Sequence, residues 1–432
     1  MSSATIRPAK RLRGSLTLPG DKSISHRAVM LASLANGTSV IKNILHSDDT
    51  LTTIEAFRAL GIDININIKE DHDEITIIGR GLNGLKEPAG PLFMRNSGTS
   101  MRLLLGILAG QPFAATLTAD KGLAARPMRR VTEPLSVMGA KFEGRNKADY
   151  APITVRGGKL NPIDYVSPVA SAQVKSAILL AGLYAGGKTS VTEPSRSRDH
   201  TERMLKAFGA RVSVEGLKVS VEGKADLRAR EIDVPGDISG AAFFLVAATI
   251  VKDSAVTLKS VGVNPTRTGI IDILNKMGGK IAIENARETA SEPVGDIFIE
   301  SADLRGATIE GDLVPRSIDE LPVVMVAAAY AKGTTIIKGA QELKVKETDR
   351  ISSMAANLKN MGAKFSLKGD DIVIEGTGAL KGITAMSFGD HRTAMSMAVA
   401  GLAAKGDTTI DDTACIAKSY PNFLKDLDSL LI

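Results

Sequence analysis

Lys22, Ser23, Ser25, His26 and Arg27 crowd into one short stretch, DKSISHR, directly ahead of an almost unbroken apolar run from Ala28 to Ala35. A polar start feeding an apolar helix leaves backbone N–H groups unpaired at the positive end of the helix dipole. Cations placed there as well oppose that dipole, which suits a phosphate or carboxylate ligand more than it suits the helix. Five further stretches repeat the arrangement, reading NSGTSMR, SAQVKS, GDISG, SIDELP and GDHRT, and among them Arg102, Lys175 and Arg392 are again cations at helix starts. One such start is ordinary capping. Six, with this many cations, imply that helix starts are aimed at an anion in a shared cleft. Connecting loops add Arg126, Arg129 and Arg130 in ARPMRR, Arg196 and Arg198 in SRSRDHTE, Lys346, Glu347 and Arg350 in KVKETDR, and Lys418 in IAKSYP. On spacing alone Asp319 beside Glu320 is most simply an N-cap with a first-turn carboxylate and KETDR a capping box with ion pairs, a catalytic role being the lesser reading of each.

These residues need elements to hold them. Each polar start leads into an apolar helix that closes on a turn, at Gly37, Gly110, Gly187, Asp253, Gly333 and Gly406, and then into a β-rich run. Five times an amphipathic helix ending in glycine follows, in FRALGIDI, LSVMGAKFE, LKAFGARVSV, LNKMGGKIAI and LKNMGAKFSL. Gly61, Gly139, Gly209, Gly278 and Gly362 are the expected C-caps. The chain is therefore six copies of a strand–helix–strand–helix–strands unit. LPGDKS at residues 18–23 returns as VPGDIS at residues 234–239, so the copies fall into two sets of three. The first domain is expected over residues 20–235. The second is expected to be discontinuous, residues 1–19 with 236–432, the N-terminal strands completing the sixth unit and the hinge lying near residues 20 and 236.

Composition narrows the function. The chain has 432 residues, 44% hydrophobic and 24% charged, enough for two cores. No apolar run is long enough to span a bilayer, and the short basic N-terminus lacks a secretory apolar core, so a cytoplasmic location is expected. One cysteine excludes an intrachain disulfide, and five scattered histidines give no metal-ligand spacing, so neither a metal nor another cofactor is expected. The net charge of +6 favours acidic partners, but 4% aromatics with no Trp leave few stacking platforms for nucleic acid. A small anionic substrate, no nucleic acid or membrane, and a monomer are the expectations.

PGDKSISHRA, NSGTSMR, ARPM, SAQVKSA, DELP, VKETDR, GDHR and AKSYP occur in the order of the 5-enolpyruvylshikimate-3-phosphate synthase family, and the resemblance covers essentially the whole chain. It implies a two-domain inside-out α/β barrel of six βαβαββ repeats, three per domain, closing over the substrates. The implied reaction, a step toward chorismate and the aromatic amino acids, moves the enolpyruvyl group of phosphoenolpyruvate to the 5-hydroxyl of shikimate-3-phosphate, and glyphosate competes with the donor. By resemblance Asp319 is the base, Glu347 the acid, and Lys22 assists proton movement. Lys22, Ser23, Arg27, Ser171, Ala172, Gln173, Arg198, Asp319 and Lys346 would hold the acceptor. Lys22, Gly98, Arg126, Gln173, Arg350, Arg392 and Lys418 would hold the donor.

The details resemble the less common bacterial subclass. Leu103 stands where the better-known form has Pro. Ala172 replaces a Ser, leaving only its backbone N–H for phosphate, and Arg198 stands where a ring-contacting Tyr is usual. Two alternatives remain open at this point. UDP-N-acetylglucosamine enolpyruvyl transferase shares the fold and donor, but it carries a reactive Cys in the loop that here reads ADKGLAARP. A non-catalytic phosphate-binding repeat protein would gain nothing from buried carboxylates among its cations.

Overall fold

The computed structural model describes residues 2–68 and 73–432; Met1 and residues 69–72, which fall inside the expected domain ranges, lie outside the described residues. The chain divides into two compact units, Gly20–Val234 with Glu288–Glu292, and Met1–Pro19 with Pro235–Arg287 and Pro293–Ile432. Both are α/β, each with its own core.

The first unit is built around three buried helices, Lys22–Leu34, Gly98–Ala109 and Ala172–Gly182. They are apolar on nearly every face, as helices enclosed by protein must be. Three four-stranded sheets flank them. One runs in the order Glu231–Asp233, Asn36–Lys42, Asp73–Arg80, Asp63–Ile68. The second runs Leu92–Phe93, Ala114–Thr118, Tyr150–Arg156, Lys141–Gly144, and the third Asp164–Val166, Lys188–Thr192, Lys218–Glu222, Val212–Glu215. In each sheet the first pair is parallel and the rest antiparallel. A parallel pair needs a long crossover, and in the second and third sheets the buried helix is that crossover.

The second unit repeats this plan around Ile238–Ile250, Leu321–Tyr330 and His391–Leu402. Its sheets run Lys280–Thr289, Glu292–Glu300, Ala255–Gly262, Arg13–Thr17, then Thr308–Ile309, Lys332–Ile337, Asp371–Thr377, Lys364–Lys368. The last has three strands, Ala4–Ile6, Thr408–Ile410 and Thr384–Ala385. Here the structure corrects the expectation that all the N-terminal strands complete the sixth unit. Ala4–Ile6 does, pairing with Thr408–Ile410, but Arg13–Thr17 joins the fourth sheet, parallel to Ala255–Gly262. The reason is repeat logic: the strand ahead of a buried helix is the parallel first strand of a sheet. For the first and fourth helices these leading strands are exchanged, Glu231–Asp233 pairing with Asn36–Lys42.

The five glycine caps form as the pattern predicts. Gly61, Gly139, Gly209, Gly278 and Gly362 all have φ between 86° and 115°, a region open to glycine but costly for residues with a Cβ. After each, the next N–H reaches back to close the last turn, as in Ile62 to the Phe57 carbonyl at 3.0 Å. Among the described residues no helix is long and apolar enough to cross a membrane.

Candidate active site

In the first unit the helix starts are fixed by short polar caps. Asp21 accepts from the Ile24 N–H at 2.9 Å, Ser97 from Ser100 at 3.2 Å, and Ser171 from Val174 at 3.5 Å. Lys22 pairs with Asp49, which the next helix, Asp48–Ala59, supplies from its own first turn. Arg27 is buried and donates to Thr201 Oγ1 at 2.6 Å, Ser176 Oγ at 2.8 Å and the Ser23 carbonyl at 2.9 Å. Burial pulls its pKa down to about 10, with Glu202 opposing and the nearby charge of Arg198 reinforcing the shift. One residue back, His26 bonds Thr53 Oγ1 through Nδ1 at 2.7 Å, and burial holds its pKa at about 3, so the ring stays neutral.

Gly98 opens the second buried helix beside two guanidinium groups. A Cβ built there would lie 3.4 Å from Arg102 Nη1 and 3.6 Å from Arg126 Nη1. Arg102 Nη1 donates to Gln173 Oε1 at 2.6 Å, and Gln173 Nε2 to Thr99 Oγ1 at 3.0 Å, so two helix starts are stitched together. The structure thus gathers Gly98, Arg126 and Gln173, and adds Arg102. Lys175 departs from the sequence reading. It is buried and paired with Glu193 at 2.8 Å and Glu202 at 2.7 Å, so it neutralises the interior instead of offering charge to an external anion.

In the second unit the cap read at Asp319 and Glu320 gives way, whereas KETDR does carry a cap and ion pairs. Glu320 holds the N-cap position of Leu321–Tyr330 without making a cap bond. Its fully buried carboxylate accepts from Ser239 and lies 3.9 Å from both Arg267 and Arg392. Asp319 instead accepts from Arg350 Nη1 at 3.3 Å. In KETDR the cap of Arg350–Asn360 is Asp349, while Glu347 turns to His391 Nδ1 at 3.1 Å and Lys418 at 3.8 Å. Lys346 lies 3.8 Å from Glu342.

Asp390 ties the group together. It is fully buried, caps Arg392 and Thr393 through Oδ1, and accepts from Arg350 Nε through Oδ2 at 2.9 Å. Burial would raise its pKa, but Arg350 and then His391 outweigh burial and hold it below the usual carboxylate range. Burial likewise pulls Arg350 down, and Asp390, Asp319 and Glu347 together push it higher than an ordinary guanidinium. Ligand atoms of Glu347, Asp390 and His391 lie within 4.8 Å of one another, but both Asp390 oxygens already accept hydrogen bonds, Oδ1 from the helix start and Oδ2 from Arg350. Asp319 and Glu347 keep 20% and 21% of their side-chain surface, so both can meet a substrate.

Asp49, Glu193, Glu320, Asp390 and His391 were not singled out as site residues from sequence. Glu320, Asp390 and His391 stood inside the DELP and GDHR motifs and could have been found there. Asp49 and Glu193 carry no local signal.

Helix starts rich in cations, together with two accessible carboxylates each held by a cation, suit acid–base chemistry on anionic small molecules. Residues 6–427 match the model of the EPSP synthase (3-phosphoshikimate 1-carboxyvinyltransferase) family. The chain is 54% identical over 431 residues, 100% of both chains, to the 3-phosphoshikimate 1-carboxyvinyltransferase of Citrifermentans bemidjiense. It is 55% identical to that of Geobacillus kaustophilus, over 97% of this chain and 98% of the relative. A solved EPSP synthase structure from Acinetobacter baumannii superposes with a TM-score of 0.90 at 46% identity, over 99% of this chain and 98% of that one. The chain belongs to the EPSP synthase family.

Proposed function

We propose that this chain transfers the enolpyruvyl group of phosphoenolpyruvate to the 5-hydroxyl of shikimate-3-phosphate, releasing phosphate. The observation that carries the reading is the pair of accessible carboxylates, Asp319 against Arg350 and Glu347 against His391 and Lys418. Asp319 takes the hydroxyl proton as the oxygen attacks the central carbon of the donor, and Glu347 protonates the methylene carbon. The resulting tetrahedral adduct then loses phosphate and a methyl proton, which restores the double bond in the product. This is addition–elimination by general acid–base catalysis.

The acceptor is read as held by Lys22, Ser23, Ser171, the Ala172 N–H, Gln173, Arg198, Asp319 and Lys346. Arg27 acts through charge and through its bond to the Ser23 carbonyl. The donor is read as held by Lys22, Gly98, Arg126, Gln173, Arg350, Arg392 and Lys418. Arg392 supports this: it is buried, and its Nε and Nη1 have no hydrogen-bond partner among the described residues, which an anionic ligand would supply.

Mixing the protein with both substrates and following phosphorus resonances tests the reading. Free phosphate and a new enol ether should appear in equal amounts. Turnover with UDP-N-acetylglucosamine in place of shikimate-3-phosphate would favour the rival transferase. Binding without turnover of either acceptor would favour the non-catalytic repeat protein.

A further inference from the structure

We infer that Glu193 is a positioning residue for acceptor recognition, its single buried carboxylate fastening the start of the Ala172–Gly182 helix to the loop that carries Ser197 and Arg198. The inference rests on the reading of Ser171, Ala172, Gln173 and Arg198 as acceptor ligands.

Glu193 follows the strand Lys188–Thr192 and is 4% exposed. Oε1 accepts the backbone N–H of Ser171 at 2.9 Å. Oε2 accepts the Ser197 hydroxyl at 2.8 Å and the Lys175 ammonium at 2.8 Å. Lys175 in turn reaches Glu202 in the helix His200–Ala207, where the adjacent Thr201 bonds Arg27. One carboxylate therefore ties two segments that contribute to the acceptor set, and its counter-ion ties them to a third.

The chemistry constrains what can stand there. A buried carboxylate needs a counter-ion at hand, which Lys175 supplies at 2.8 Å. A charge-assisted acceptor of this kind holds the Ser171 N–H and the Ser197 hydroxyl more firmly than a neutral amide would. Glutamine offers one acceptor oxygen and presents an NH₂ group to Ser197 or Lys175, both donors. Aspartate is one methylene too short to hold both segments. The residue does not touch substrate in this account, so its loss should show as poorer acceptor binding and leave proton transfer alone.

The test is steady-state kinetics of Glu193→Gln and Glu193→Asp in the full chain, varying each substrate in turn, with thermal unfolding alongside. KM for shikimate-3-phosphate should rise roughly tenfold or more in Glu193→Gln, the scale of a lost charged hydrogen bond. KM for phosphoenolpyruvate and kcat should stay within about threefold, and Glu193→Asp should fall between Glu193→Gln and the parent. An unchanged KM for shikimate-3-phosphate overturns the inference. So does an equal loss in both KM values and kcat with a lowered unfolding temperature, because that is the signature of general damage. Should Glu193→Gln not fold, Ser197→Ala severs the loop tie and leaves the Lys175 pairs intact. A rise in KM for shikimate-3-phosphate alone supports the inference, and no rise overturns it. Failure of the underlying reading looks different: the parent protein would not turn over the two substrates, or Gln173→Ala would leave both KM values unchanged.

Discussion

Arg102 in the first unit donates to a neutral amide, Gln173 Oε1, and to the Pro127 carbonyl, whereas Arg350 in the second donates to two carboxylates, Asp319 and Asp390. Both are arginines near the start of a helix, yet their surroundings differ in charge. Bonds to neutral oxygens do not themselves neutralise a guanidinium. One satisfied by carboxylates cancels its charge and in exchange fixes where a carboxylate points. Under the proposed function, the same fold, copied, would give one set of helix starts suited to binding anions and another suited to moving protons. Lys22, paired with Asp49, is the cation of the first set that is given a part in proton movement, while Lys175 is neutralised by Glu193 and Glu202.

The largest expected effect tests that division directly. Asp319→Asn and Glu347→Gln should each lower kcat by about 10²–10⁴-fold, the usual share of a general acid or base, with both KM values within a few-fold. Gln173→Ala should do the opposite, raising KM values and sparing kcat. Near-normal kcat in either carboxylate variant, or a kcat loss in Gln173→Ala as large as theirs, would break the comparison.

Acid should also separate the two sets. His26 has a folded pKa of about 3 against an ordinary 6.5. The unfolded chain therefore binds the extra proton first, and stability that is complete above pH 6.5 is lost as pH falls toward 3, at up to about 1.4 kcal/mol per pH unit. Asp390 is shifted below 3.8, so its contribution is complete above that value and fades only at lower pH. Urea midpoints between pH 7.5 and 3.5 should show a shallower loss above pH 4 for His26→Asn. Asp390→Asn should keep that slope and flatten only the most acidic part. Identical profiles for the two variants would remove the distinction.

Much of this was legible because it is local. Apolar runs announced the six buried helices, and a glycine after Met138, Phe208, Met277 or Met361 announced the left-handed caps. What stayed hidden depends on distant partners. Nothing around Glu193 says that its carboxylate reaches Ser171, twenty-two positions back, or that Lys175 is its counter-ion. Nothing in DELP says which carboxylate caps, and the one at the cap position turned away into an arginine network. Arg13–Thr17 looked like any strand, and only pairing with Ala255–Gly262 assigns it to the fourth sheet.

A smaller effect is expected at Gly98. The helix backbone there is not left-handed, and an added Cβ meets Arg102 and Arg126 only at ordinary contact distance. Gly98→Ala should therefore leave the unfolding temperature nearly unchanged, and its consequences should fall on the ligand. Overfilling a packed site costs roughly 1–3 kcal/mol, and glyphosate, longer than the donor it mimics, should bear more of that cost. The ratio of glyphosate Ki to phosphoenolpyruvate KM should rise. An unchanged ratio would take Gly98 out of the donor pocket and weaken the anion-binding half of the comparison.

The smallest effect concerns Cys415, three residues before Lys418. Its side chain is buried, its Sγ lies 3.6 Å from the Asp412 carbonyl, and burial pushes the thiol pKa up to about 11. Only the thiolate is a competent nucleophile, so at neutral pH this sulfur is protonated and inert. The acid–base account of the second unit gives it no covalent step, and Cys415→Ser should leave kcat and both KM values within about twofold. The hydroxyl can take over the contact with the Asp412 carbonyl, so any loss of stability should be small. Turnover and unfolding temperature measured on the same sample decide the matter. If activity vanished while the fold survived, the proton-transfer role assigned to Asp319 and Glu347 would no longer suffice, and a thiol-dependent enolpyruvyl transfer would have to be reconsidered.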